Sequence, residues 1–129
     1  MKPLAAMTVT ELDRHRYLSL ATFRRSGVEV RTPVWFAPAD GKLYVFTSGD
    51  SGKAKRLRNS PRARIAPCDA RGGVRGAWRE ATARLVTDRA LIARAGDALR
   101  AKYGWQMTIL DLFSRVAGRI ERRAWIEIA

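Results

Sequence analysis

Two periodicities divide the chain. Over 17–23, Leu18, Leu20 and Thr22 fall on one side of an extended segment and Tyr17, Ser19, Ala21 and Phe23 on the other, an alternation that predicts a strand. A tight turn at Arg25-Ser26-Gly27 leads into a second alternation over 28–36, with Val28, Val30, Thr32, Val34 and Phe36 on one side, so the two form a hairpin. After the turn residues Pro38, Asp40 and Gly41, a third strand sets Leu43, Val45 and Thr47 against Tyr44, Phe46 and Ser48. Further strands are predicted over 62–68 with Ala63 and Ile65 inward, over 77–86 with Ala81, Ala83 and Leu85 inward, and over about 119–128.

Elsewhere the period lengthens. Thr8 or Thr10 can cap a helix over about 8–14, and Glu11 and Asp13 suit its positive N-terminal end. Helix formers over 53–59, stopped by Ser60-Pro61, predict one to two turns. Leu91, Ile92, Ala95 and Leu99 form one stripe of a helix over 88–103 that closes at Gly104, and a short helix is expected around 108–113. Six or so short antiparallel strands with peripheral helices predict a mainly β fold, a small barrel formed as a single domain over 1–129. Its interior is filled by Val, Leu, Ile and Ala, so a ligand is expected against the outer face.

Composition narrows the chemistry. The chain holds 129 residues, one Cys and one His, which excludes an internal disulfide and a Cys-cluster zinc site, and leaves His-driven acid–base catalysis little to work with. No metal is expected. Cys68, beside Asp69 at a strand end, reads as a small buried residue, and no catalytic residue stands out. No apolar run spans a bilayer and residues 1–7 are too short for a signal peptide, so a cytoplasmic protein without membrane insertion is expected.

The net charge of +13 changes this picture through its placement. Between 53 and 79 stand nine cations and a single acid, Asp69, an asymmetry that a general excess of Arg would not produce and that points to an anionic ligand. Ser51, Gly52 and Lys53 open a helix, where free backbone N–H groups and the helix dipole favour an anion, and Lys55 and Arg56 follow. The spaced glycines of a P-loop are missing. On the outward face of the second strand lie Glu29, Arg31, Pro33 and Trp35. Pro33 marks an edge, a bulge or a close approach by a ligand, and Trp35 is a flat wall for a ligand or a subunit interface. Trp78 and Trp105 add planar surface, while Trp125 reads as packing. Interleaved Trp and Arg also suit a nucleic-acid-binding barrel, although the cations gather after a turn instead of along one strand face.

The runs Tyr17-Leu18-Ser19-Leu20-Ala21-Thr22, Thr32-Pro33-Val34-Trp35-Phe36, Leu43-Tyr44-Val45-Phe46-Thr47 and Ser51-Gly52-Lys53-Ala54-Lys55-Arg56, with Ala66-Pro67-Cys68-Asp69 and Lys102-Tyr103-Gly104-Trp105, come in an order that resembles the pyridoxamine 5′-phosphate oxidase-like split β-barrel superfamily. More closely, they resemble its branch of small oxidoreductases that use coenzyme F420, a deazaflavin. The resemblance implies a homodimer with cofactor between the barrels and a hydride passing between F420 and an unsaturated small molecule; FMN in the same slot is the alternative. It implies that Thr32, Pro33, Val34 and Trp35 line the ring, with Trp78 as a further flat surface, and that Ser51, Lys53, Lys55 and Arg56 hold the phosphate. Arg58, Arg62, Arg64 and Arg79 would form a basic rim for the oligoglutamate tail, and Tyr44 or Tyr103 could supply a proton. The Arg-x-Val-Leu-Leu-Lys run and C-terminal Arg/His element of true pyridoxamine phosphate oxidases are absent, which argues against vitamin B6 oxidation.

Overall fold

In the computed structural model, which describes residues 8–129, seven antiparallel strands run in the order β2-β1-β5-β6-β7-β4-β3. They are β1 (Tyr17–Phe23), β2 (Glu29–Val34), β3 (Ala37–Ala39), β4 (Lys42–Ser48), β5 (Arg62–Cys68), β6 (Arg79–Val86) and β7 (Arg123–Ile128). The helices are α1 (Val9–Leu12), α2 (Gly52–Asn59), α3 (Arg89–Tyr103) and α4 (Trp105–Val116). The strands at the two ends of the row, β2 and β3, are consecutive stretches of one extended segment, so the row curls back on itself. The result is a split barrel in which β6 belongs to both halves.

Alternation along each strand sorts side chains into two clusters. Leu18, Leu20, Val34, Phe36, Val45, Ile65, Ala83 and Ile126 fill the interior, and Leu12 of α1 and Leu57 of α2 enter the same cluster. On the outer side of the β3–β4–β7 half, Ala37, Tyr44 and Trp125 pack with Ala95, Leu99 and Tyr103 of α3 and Met107 of α4.

The strand expected over 28–36 is two strands, because the chain leaves β1 at Trp35–Phe36 and joins β4. The backbone groups freed there are satisfied from α3: Phe36 N–H donates to the Tyr103 hydroxyl at 2.9 Å, which itself lies 3.0 Å from Phe36 O and 2.8 Å from Arg16 O. Val28, expected inward, is exposed and precedes the strand. The Asp40–Gly41 turn adopts positive φ at both residues, 53° and 78°, the two-residue geometry that matches strand twist. At the C-terminal end, Gly118 and a 3₁₀ turn over Ile120–Arg122 delay the last strand to Arg123. Residues 1–7, on which the leader reading falls, lie outside the described residues.

Candidate functional site

The site grows from the junction of β4 and α2. Ser51 caps α2 by accepting the Ala54 N–H at 3.2 Å, and the Thr47 hydroxyl lies 3.2 Å from the same oxygen. With both lone pairs engaged, the Ser51 O–H is left to donate. One helical turn places Lys53 and Arg56 on a shared, half-buried face, while Lys55 points to solvent on the other side. The expected phosphate set is therefore divided, with Ser51, Lys53 and Arg56 together and Lys55 apart.

Arg56 lies across the helix start. Its Nε donates to the buried Thr22 hydroxyl at 2.6 Å, and its guanidinium covers Gly52 so closely that a Cβ there would stand 2.6 Å from Nη1. Burial pushes the Lys53 ammonium below its ordinary value and the charge of Arg56 pushes it further. Arg56 is lowered in the same way, first by burial and then by Arg24. Among the described residues no carboxylate pairs with Arg24, Lys53 or Arg56. Three cations are thus gathered, two of them half-buried, where each disfavours the next. An anion resolves that conflict, which is the sense in which these residues fit a cofactor phosphate.

Arg24 and Thr22 were not among the expected site residues. The sequence signal for them is the Arg24-Arg25 pair that follows the first predicted strand, outside the basic stretch over 53–79.

The ring-side residues are dispersed. Val34 is buried in the barrel interior and presents only its backbone elsewhere. Trp35 has one face stacked on Tyr103, with centroids 4.4 Å apart and planes within 7°. Pro33 is exposed opposite Ser19 on the end strand of the row, as an edge proline requires. Thr32 faces inward, and its buried hydroxyl has no hydrogen-bond partner, an unmade interaction of about 1–3 kcal/mol. Trp78 lies under two guanidinium groups, those of Arg31 and Arg64, at 4.6 and 5.0 Å from the ring centroid. Along β1, Thr22 meets Arg56 and Ser19 meets Pro33, three residues or roughly 10 Å apart.

The basic rim is mostly committed within the chain. Arg58 donates to Gly49 O at 2.8 Å, Arg62 stacks on Phe23 at 4.0 Å, and Arg64 pairs with Glu29 at 2.9 Å. Both tyrosine hydroxyls are engaged within the chain. Tyr44 donates to Glu127 at 2.8 Å, and burial followed by that carboxylate pushes it up to about 12; Tyr103 is raised to about 12 by burial. Cys68 is free and buried, and burial raises its thiol. Among the described residues no group of three or more His, Cys, Asp or Glu is placed to hold a metal ion.

A family model described as pyridoxamine 5′-phosphate oxidase matches residues 5–129. No curated protein matches. Among solved structures, a conserved hypothetical protein from Mycobacterium tuberculosis is similar at 22% identity and a TM-score of 0.73, over 100% of this chain and 84% of that one. The heme storage protein HutZ from Vibrio cholerae is similar at 16% identity and a TM-score of 0.71, over 93% and 85%. A NimC/NimA family protein from Clostridium acetobutylicum is similar at 17% identity and a TM-score of 0.58, over 90% and 73%. Identities this low make the likeness one of fold.

Proposed function

The chain belongs to the pyridoxamine 5′-phosphate oxidase family, and we propose that it is an oxidoreductase working with coenzyme F420, the phosphate of which is held by Lys53 and Arg56 with Arg24 beside them. The observation that carries this reading is the cluster of mutually repelling cations at the start of α2, with no described carboxylate set against it. When bound, the cofactor supplies hydride transfer to or from an unsaturated small molecule. The chain's own part is positional. The Ser51 hydroxyl and the first N–H groups of α2 orient the anion, and Pro33 with Trp35 forms a flat wall on the outer face. With Tyr44 and Tyr103 engaged elsewhere, any proton comes from solvent. A homodimer with the site between subunits and a cytoplasmic location belong to the same proposal.

One observation favours FMN as a second reading. Arg58, Arg62 and Arg64 have partners within the chain, so they are not held ready for an oligoglutamate tail, and a cofactor that ends at its phosphate would not need them. The single histidine, His15, stands between α1 and β1, so the heme storage named for one structural neighbour finds no imidazole at the α2 site.

Titrating the protein with F420, FMN and single-stranded DNA while following Trp fluorescence tests these readings. Saturation at micromolar or lower F420 supports the first, and FMN binding more tightly than F420 selects the second. If neither binds while DNA does, with affinity that collapses in salt, the cofactor proposal fails. A finer probe is Gly52→Ala. The added methyl displaces only the far end of the Arg56 side chain, so the melting temperature should hold while cofactor affinity falls about tenfold or more, the loss of one charge-assisted hydrogen bond.

A further inference from the structure

Helix α4 presents a surface that nothing in the described chain covers. Trp105 is 71% exposed, Leu112 60%, Phe113 68% and Val116 81%, and Ile109 stands with them. Of the seven exposed large hydrophobic residues in the described chain, these five lie on α4. Positions 105, 109, 112 and 116 form one stripe, widened by 113, along a helix about 18 Å long.

The opposite face is firmly held. Met107 is buried in the outer core, and Asp111 accepts from Arg123 at 2.7 Å and from Arg100 at 3.2 Å. Asp111 is the only acid between 104 and 120, so the exposed side of α4 carries no negative charge. Arg115 and Arg119 stand exposed at its C-terminal end, with no ion-pair partner among the described residues. The surface is therefore an apolar stripe with tryptophan at one end and two exposed arginines at the other, on a chain of net charge +13.

Three kinds of occupant can be weighed against that charge. A second copy, seated antiparallel by two-fold symmetry on the same stripe, would set Arg115 and Arg119 against the positive N-terminal end of its α4, with no exposed acid on that helix to pair with. A nucleic acid would satisfy the arginines but leave Leu112, Phe113 and Val116 against phosphate. An anionic lipid surface matches both halves, since acyl chains take the apolar stripe and headgroups take the cations. We propose that α4 docks the protein flat on anionic membrane surfaces, with Trp105, Ile109, Leu112, Phe113 and Val116 in the interface. No described helix is long and apolar enough to cross, so this is peripheral attachment.

Co-sedimentation of the full chain with vesicles of phosphatidylcholine alone, or mixed with phosphatidylglycerol, tests it. Binding is expected to the mixed vesicles, with a blue shift of Trp emission that Trp105→Phe removes. The double variant Leu112→Ser, Phe113→Ser alters only exposed positions and should melt as the parent does while its vesicle affinity falls at least about tenfold. Arg115→Gln with Arg119→Gln should reduce binding to the level seen with phosphatidylcholine alone. The proposal is overturned if the parent ignores anionic vesicles, or if the serine variant binds them equally. It is likewise overturned if the parent sediments as a dimer that the serine variant dissociates, since a second copy would then cover the stripe.

Discussion

Replacing Lys53 and Arg56 together with Ala is expected to weaken binding of F420 and FMN by a factor of about 10²–10⁴, because each charge-assisted hydrogen bond to a phosphate contributes about 1.5–3 kcal/mol. Lys55→Ala, two residues from Lys53 and next to Arg56, should change affinity by less than about twofold, since Lys55 points away from the half-buried face. The ligand-free proteins carry a second signature. Lys53 is lowered by burial and by its neighbour, so removing it relieves repulsion, and Lys53→Ala should melt no lower than the parent. Arg56→Ala also orphans the buried Thr22 hydroxyl, which costs about 1–2 kcal/mol. Titration and thermal melts on the same samples separate lost binding from lost folding. Equal losses from Lys55→Ala and Lys53→Ala would move the phosphate to the exposed side and sink the assignment.

That division of Lys53 and Arg56 from Lys55 was not legible in the sequence, although the helix was. Local signals are strong at α2: Ser51 can cap, Ser60-Pro61 stops the helix, and both do so. Which side of a one- or two-turn helix faces the barrel depends on where β1 and its following turn lie, and that is a long-range fact. The same limit appears at Trp35–Phe36. Alternation runs unbroken through 28–36, and Val34 and Phe36 do enter the interior as expected. The change of partner from β1 to β4 depends on the Tyr103 hydroxyl, 67 residues away, satisfying the freed backbone. Helix α4 runs from Trp105 to Val116, beyond the 108–113 that the sequence predicts, because Gly104 signals a stop there and the most apolar residues of the helix face outward. The charge asymmetry is legible in the sequence, but which of its cations already have partners within the fold is not. Sequence position cannot show that Arg64 is neutralised by Glu29 or that Arg62 lies on Phe23.

Glu127→Gln is expected to make the protein's acid stability flatter by removing a buried charge from the barrel wall. The Glu127 side chain is 4% exposed; Oε1 accepts from Arg84 at 2.8 Å and from Lys42 at 3.3 Å, and Oε2 accepts from Tyr44 at 2.8 Å. Burial alone would push this carboxyl up, but the hydrogen bonds from Arg84, Tyr44 and Lys42 outweigh it and hold the group below its ordinary 4.5. A carboxyl lowered by folding stabilises fully above its unfolded value, and that contribution is lost as pH falls through the lower folded value. Gln keeps the shape, accepts from Arg84 and donates to the Tyr44 oxygen, so charge is what it removes. At neutral pH the variant should be less stable by about 1–3 kcal/mol, toward the lower figure because Arg84 and Lys42 are 61% and 44% exposed. Below about pH 4.5 the difference should shrink, and it should vanish once Glu127 is protonated in the folded parent. Urea unfolding of both proteins from pH 7 to pH 3 measures this directly. A gap that stays constant across that range would mean that packing, and not the carboxylate's charge, is what Glu127 contributes.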